Sequence, residues 1–291
     1  MITEDIPVLH AEGDSLAEAW ENAMLSLFYL GSEMPTEYDQ DDHPPSIDAT
    51  MVITVKRPFH EPMIHMDMPG GFEDLQEYTM EVCDGIKDHW MYRYDPHGTI
   101  WKYTYNERLR SYETINDYID QIEDMCQRLF KTPHTRRAQA ITWIPAVDIE
   151  CNDPPCLQSI WCRLTPYKDY WKLNTNLRIR SNDAYKAAFM NMFAFTFLQK
   201  RIADRITELG RPTVVGRYCH IADSFHLYGK DIAEFEGRFL KAYTQRLFDK
   251  RTVKYADVKG MMLESIPTIC KKVGLTTERQ QRVEEAWNKN D

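Results

Sequence analysis

HTRRAQAITWIPAVDIECNDPPCLQSIWCRL (residues 134–164) and KLNTNLRIRSNDAYKAAFMNMF (residues 172–193), joined by a short hairpin, decide how this chain is read. Cys156 follows Pro154-Pro155 and leads into an alternating run, Leu157 to Leu164, the period of a half-buried strand. The two prolines stiffen the approach, so the sulfur is presented at one defined angle. A second alternating run, Leu173 to Arg180, ends in Arg180-Ser181-Asn182-Asp183. A cation and a hydroxyl beside a thiol suit an anionic substrate and favour the thiolate. A thiolate so placed is a nucleophile for covalent attack.

Outward from that stretch, composition narrows the class. The chain has 291 residues, 43% hydrophobic and 12% aromatic, ample for one large globular core. Its formal charge is −10, from 35 basic and 45 acidic residues, which argues against nucleic acid as a partner. A phosphate site must therefore be a local gathering of arginines. Seven cysteines, an odd number with no C-x-x-C pair, argue against a disulfide framework and a zinc cluster. MITEDIPVLH shows no basic-apolar leader, and no run reaches the length of a membrane span. The expectation is a soluble cytoplasmic protein (host cytoplasm if viral), without metal and without a membrane partner.

Along the chain, Ser15 and Glu18 stand at capping-box spacing before an apolar helical face of Leu16, Ala19, Trp20, Ala23, Leu27 and Leu30, closed by Gly31. Residues 32–48 read as a surface loop, and Met51 to Val55 as a strand. His60 and His65 are separated by Pro62, which denies them a helical metal pair. Phe72 to Cys83 reads as a helix with Leu75, Tyr78, Thr79 and Val82 inward and Glu77 at the core edge. Trp90 to Tyr105 is aromatic-rich, broken by Asp95-Pro96-His97-Gly98. Thr114 to Phe130 reads as an amphipathic helix facing inward through Ile115, Tyr118, Ile119, Ile122, Met125 and Leu129. Strands are expected at 138–144 and 213–222. A long buried helix, Ala184 to Leu209, carries the polar Asn191, whose amide needs partners. His226 and Tyr228 fall on one face two residues apart, and Asp231 to Phe248 is a charged helix. Residues after Lys250 read as polar and helical. There are no internal repeats and no sign of a second domain.

Five pieces in order, Arg136-Arg137, Pro155-Cys156, Arg180-Ser181-Asn182-Asp183, Asn191 and His226-Leu227-Tyr228, resemble the thymidylate synthases and their pyrimidine nucleotide hydroxymethylase relatives. The resemblance covers roughly residues 75–236 of a single catalytic domain spanning 1–291, with divergent parts at 1–70 and 237–291. It implies an α/β (α+β) fold, a large mixed or antiparallel sheet covered by helices, and a homodimer packed sheet against sheet. It implies Cys156 as the nucleophile at uracil C6, with Glu77 (Glu81 the competitor), Asn191, Asp183 and Tyr105 as further catalytic groups. Arg180, Ser181, Arg136 and Arg137 would bind phosphate, the last two from across the dimer interface, and His226 and Tyr228 a sugar hydroxyl. Trp90 and Asp183 would hold 5,10-methylenetetrahydrofolate, the co-substrate.

The substrate implied is dUMP, since an amide at Asn191 suits uracil where related cytosine-acting enzymes carry aspartate. Two departures favour a hydroxymethylase making 5-hydroxymethyl-dUMP over a thymidylate synthase making dTMP and dihydrofolate. EEAWNKND is polar where synthases have an apolar latch, and no arginine occurs between Met1 and Lys56 to serve a phosphate loop. Three other readings are weaker. A cysteine phosphatase needs an arginine six residues after its nucleophile, where Cys162 stands. A noncatalytic nucleotide-binding homologue would leave Cys156 inert. An unrelated structural α/β protein would have to match five ordered motifs by chance.

Overall fold

The computed structural model describes residues 5–39, 42–91 and 101–288. The break expected at Asp95-Pro96-His97-Gly98 lies outside the described residues, as do the last three residues of the C-terminal EEAWNKND.

Period-2 alternation builds one large sheet. Its strands are β1 (Val8–Gly13), β2 (Ser32–Met34), β3 (Ser46–Val55), β4 (Gln139–Ile141), β5 (Leu157–Tyr167), β6 (Tyr170–Asp183) and β7 (Thr213–Leu227). The order across the sheet is β1-β3-β7-β6-β5-β4, with β2 paired to β3. It is mixed: β1 runs parallel to β3 and β7 parallel to β6, while the other pairs are antiparallel. Each parallel pair is bridged by a helix, as parallel pairing requires. Helix α1 (Leu16–Leu30) links β1 to β3, and the long helix α5 (Ala188–Glu208) links β6 to β7. The remaining helices of note are α2 (Phe72–Asp84), α3 (Tyr105–Arg110), α4 (Gln121–Lys131) and α6 (Gly229–Phe235). They are followed by α7 (Tyr255–Glu264), α8 (Ile266–Lys272) and α9 (Thr277–Asn288).

One face of the sheet is buried under α1 and α5. Along β6, Leu173, Thr175, Leu177 and Ile179 are buried, and Met51, Ile53 and Val55 of β3 continue the layer. Trp20 of α1 packs edge-on to Phe189 of α5, with centroids 5.3 Å apart. The opposite face carries Trp161, Arg163, Asn174, Asn176, Arg178 and Arg217, partly or fully exposed. No described helix lies over it.

Several boundaries differ from the sequence reading for local reasons. β3 begins at Ser46 rather than Met51, and β7 runs through His226, because neighbouring strands extend the ladder past the alternating core. β4 is only three residues long, since Pro145 starts a helical turn. The helix expected from Thr114 begins at Gln121: Asp120 caps it, accepting from Glu123 N, while Thr114 and Asp117 close a turn upstream. Ile115 is consequently 99% exposed, and Tyr118–Ile119 form a short, exposed strand. α5 starts at Ala188, not Ala184, because Asp183 Oδ1 accepts from the backbone of Tyr185 and Lys186 and holds a turn there. The helix expected to span Asp231 to Phe248 is broken by a wider π-type turn at Glu236–Leu240 and by the extended Arg246. The Ser15 cap holds as read, with Glu18 Oε2 accepting from Asp14 N at 2.6 Å.

Candidate active site

Cys156 sits where the chain enters β5, half-buried. The ladder fixes it: Arg180 N of β6 donates to Cys156 O at 2.8 Å. The Arg180 guanidinium turns back to the proline turn, donating from Nη2 to Pro154 O at 2.7 Å and from Nε to Pro155 O at 3.2 Å. The arginine therefore orders the loop before Cys156 as well as offering charge. Tyr105, opening α3, lies beside Cys156 and accepts from Leu157 N at 3.3 Å. Burial pushes the Cys156 thiol above its ordinary range. Arg180 and, more weakly, Tyr105 pull it down and Asp153 adds to the rise, so burial wins. The sequence reading has Arg180 favour the thiolate; its pull is in that direction and burial outweighs it.

Beside the thiol, Tyr78, Glu81, Trp101, Tyr103, Tyr105 and Asp153 line a cavity of about 460 Å³, within the range of small-molecule sites, roughly 300–1,000 Å³. α2 supplies Tyr78 and Glu81 one turn apart on its inner face. Tyr78 donates to Asn191 Oδ1 of α5 at 2.5 Å, so Asn191 meets its need for a partner at the cavity wall. Burial raises the phenols of Tyr78, Tyr103 and Tyr105 well above their usual value, so all three remain donors.

The two glutamates of α2 have different surroundings. Glu77 is held between Lys87 Nζ at 2.8 Å and Lys272 Nζ at 2.7 Å. Burial raises its carboxyl, but the two ammoniums outweigh that and hold it below the usual range. Glu81 shares Lys87 at 2.8 Å; there burial prevails over the lysine and the carboxyl titrates above the usual range. Glu81, the competitor in the sequence reading, is thus the α2 glutamate that lines the cavity, and Glu77 faces the C-terminal helices.

At the other end of the site, His226 and Tyr228 come together with ring centroids 4.6 Å apart. Tyr38, from the loop after β2, stands edge-on to Tyr228 at 5.9 Å. Burial lowers His226, with Asp183 and Asp48 opposing, and its imidazole titrates below the usual range. Asp183 lies opposite His226 in the ladder, its carboxyl raised by burial. Ser181 lies opposite Ser224. Trp90 is drawn away from the cavity: its Nε1 donates to Val273 O at 3.2 Å, and its ring meets Trp101 edge-on at 5.5 Å. Trp101 is therefore the tryptophan on the cavity wall. Arg136 and Arg137 are exposed at the start of β4, and within one chain no described contact brings them to Cys156.

Among the described residues no group of three His, Cys, Asp or Glu side chains could hold a metal, and no helix is long and apolar enough to cross a membrane. All seven cysteines are free thiols. The sequence reading missed Tyr103 and Asp153 and took Tyr78 as core. The signal for Tyr78 was its helical spacing from Glu81; nothing local marked the other two.

The comparisons agree with this geometry. A family model described as thymidylate synthase matches residues 29–262. A putative thymidylate synthase of Methanosarcina acetivorans is 29% identical over 175 residues, covering 60% of this chain and 72% of that protein. One of the same description from Methanocaldococcus jannaschii is 31% identical over 165 residues, 55% of this chain and 65% of its own. A third, from Methanothermobacter marburgensis, is 26% identical over 225 residues, covering 72% and 90%. The structure of thermostable thymidylate synthase A from Bacillus subtilis superposes with a TM-score of 0.58 at 17% identity, over 78% of this chain and 84% of that one, which establishes the shared fold. With a family model spanning most of its length, this chain belongs to the thymidylate synthase family, as a divergent one-carbon transferase.

Proposed function

We propose that the protein transfers a one-carbon unit to C5 of dUMP through a covalent Cys156–C6 adduct, and that water completes the reaction to give 5-hydroxymethyl-dUMP. The observation that carries the transfer is a half-buried thiol whose neighbours Tyr103, Tyr105 and Asp153 line an aromatic cavity, with Tyr78 of the same wall bonded to the buried amide of Asn191. Cys156 gives up its proton to solvent, with Arg180 favouring the ionised sulfur, and the thiolate bonds to C6. Negative charge then develops toward O4, where the Asn191 amide nitrogen can donate. Glu81, raised by burial, is the acid–base group of the cavity. Once C5 has gained its new carbon it loses its proton, and tetrahydrofolate leaves that carbon carrying a proton on each nitrogen that held it. Water adds there as hydroxide, and the sulfur–C6 bond breaks with the sulfur taking the remaining proton to return the thiol.

Methylenetetrahydrofolate, when bound, supplies the one-carbon unit and, where thymidylate is the product, the hydride as well. The residues present fit a flat heteroaromatic co-substrate: Trp101, Tyr103 and Tyr105 wall the cavity and Trp90 backs Trp101. Arg180, bonded to the loop before Cys156, and Ser181, opposite Ser224, are the residues assigned to the phosphate. Arg136 and Arg137 reach a site only if a second copy covers the open sheet face, which supports an isologous homodimer. Seven free thiols suit a reducing compartment such as the cytoplasm.

Completion by water is supported by where the C-terminal helices go. α8 is tied to α2 through Lys272 and Glu77, and α9 through Arg279 to Gly85 O and Trp287 to Asp84, and no residue of 255–288 lines the cavity. The second reading, a hydride finish giving dTMP, is favoured by the description of the relatives as putative thymidylate synthases. Absorbance separates the two: dihydrofolate accumulates in step with nucleotide turnover in a synthase and is absent in a hydroxymethylase.

A further inference from the structure

We infer that Ser224 and Asp48 are positioning residues that fix the tautomer of His226, leaving its Nε2 as a bare acceptor for a sugar hydroxyl. The inference deepens the reading of the site as a nucleotide site and rests on it.

The sheet itself assembles the device. β7 carries an irregularity between Ala222 and Phe225, so Asp223 and Ser224 fall out of register with β3. Such bulges re-aim side chains next to functional sites. Here the two bulged residues have different partners. Asp223 is taken by Arg178, at 2.8 and 3.1 Å, and its carbonyl accepts from Thr50 Oγ1 at 2.8 Å. Ser224 donates from Oγ to Asp48 Oδ2 at 2.7 Å. Its Oγ also lies 3.1 Å from His226 Nδ1.

A serine hydroxyl has one proton. Once that proton is given to the Asp48 carboxylate, Oγ can only accept from the imidazole. Nδ1 must then carry the hydrogen, and a neutral ring is left with a lone pair at Nε2. The ring is kept neutral by its setting: His226 is 5% exposed, and burial outweighs the two carboxylates that flank it, Asp48 on β3 and Asp183 on β6. Tyr228, beside it, also stays protonated, its phenol pushed up to about 12 by burial and by neighbours that include Asp183 and Cys156. Among the described residues no partner engages Nε2.

Asp48 gives an independent reason to assign a purpose to the chain of bonds. Its second oxygen, Oδ1, is buried with no hydrogen-bond partner among the described residues. A buried carboxylate so poorly served is costly to keep. Orienting Ser224 is the visible return for that cost. An Nε2 acceptor selects for a ligand group that donates, which a sugar 3′-hydroxyl does and a 3′-deoxy carbon does not.

The test compares binding of dUMP with that of its 2′,3′-dideoxy analogue, by calorimetry, to wild type, Ser224→Ala and Ser224→Thr. Wild type should prefer dUMP by about tenfold or more, the scale of one buried hydrogen bond. Ser224→Ala should bring the two ligands within about twofold, and Ser224→Thr should restore the preference. Nitrogen-15 spectra of the ligand-free wild type, assigned with His226→Gln, should show Nδ1 protonated and Nε2 bare. The opposite tautomer, or an undiminished preference in Ser224→Ala, overturns the inference. If wild type binds no dUMP, the functional reading falls instead, and the tautomer spectrum alone decides this inference.

Discussion

The Tyr78 hydroxyl donates a 2.5 Å hydrogen bond to the amide oxygen of Asn191, tying the inner face of α2 to the buried helix α5 at the cavity. With that oxygen held, the Asn191 NH₂ is oriented to donate, which suits the O4 carbonyl of uracil and opposes the 4-amino group of cytosine. Tyr78→Phe should lower the preference for dUMP over dCMP by about tenfold, by releasing the amide to turn over. Asn191→Asp should move the preference itself toward dCMP. Competition assays with both nucleotides read each effect, and equal wild-type rates on the two would refute the assignment.

At Cys156 burial outweighs Arg180, a balance that favours the thiol in the resting site. Since burial raises its pKa above the ordinary 9.0, alkylation by iodoacetamide should be slow at neutral pH and climb with pH through and beyond that value. Arg180→Gln removes the strongest opposing influence, so the alkylation profile should move further up the pH scale. A midpoint below that of a free cysteine would show that Arg180 prevails.

Glu81 and Glu77 should separate kinetically. Glu81→Gln removes the α2 carboxyl that lines the cavity and should cut kcat by roughly a hundredfold or more. Glu77→Gln breaks the ion pair with Lys272, a side chain that is 56% exposed, and the one with Lys87, which keeps Glu81 as its partner. The exposed pair is worth at most about 1 kcal/mol after solvent screening. Glu77→Gln should lower Tm slightly and change kcat less than about tenfold. The reverse pattern would return the proton relay to Glu77.

Arg136 and Arg137 should act in trans. Arg137→Ala alone should raise KM for dUMP about tenfold or more. Subunits carrying Arg137→Ala, mixed with subunits carrying Cys156→Ala, should recover about a quarter of wild-type activity, because only the hybrid dimer holds one intact site. An impaired Arg137→Ala with no recovery after subunit exchange would place Arg137 in the site of its own subunit, and an unimpaired Arg137→Ala would place it outside the site.

The long strands were legible because period 2 persists over Leu157 to Leu164 and Leu173 to Arg180, and the prolines before Cys156 marked where its strand begins. β1 was not: VLHAEG is short, and only its pairing with β3 makes it a strand. Ile115, Tyr118 and Ile119 continued the helical period of α4 upstream, but the Asp120 cap overrode that pattern. At the site, the motif residues were legible singly, while their relations were not. Tyr78 has the spacing of a core residue, and only the packing of α2 on α5 brings it to Asn191. Ser224 and Asp48 lie 176 residues apart, so no local pattern could join them. The state of Cys156 depends on how burial balances Arg180, which a list of neighbours in sequence does not give.

The central claim is covalent one-carbon transfer to dUMP at Cys156. Mass spectrometry of the nucleotide recovered after incubation with dUMP and methylenetetrahydrofolate tests it most directly, with wild type and Cys156→Ala run side by side. The account predicts a C5-substituted product, 5-hydroxymethyl-dUMP, from wild type and unchanged dUMP from the variant. Unchanged dUMP from wild type, or equal product from Cys156→Ala, would contradict it.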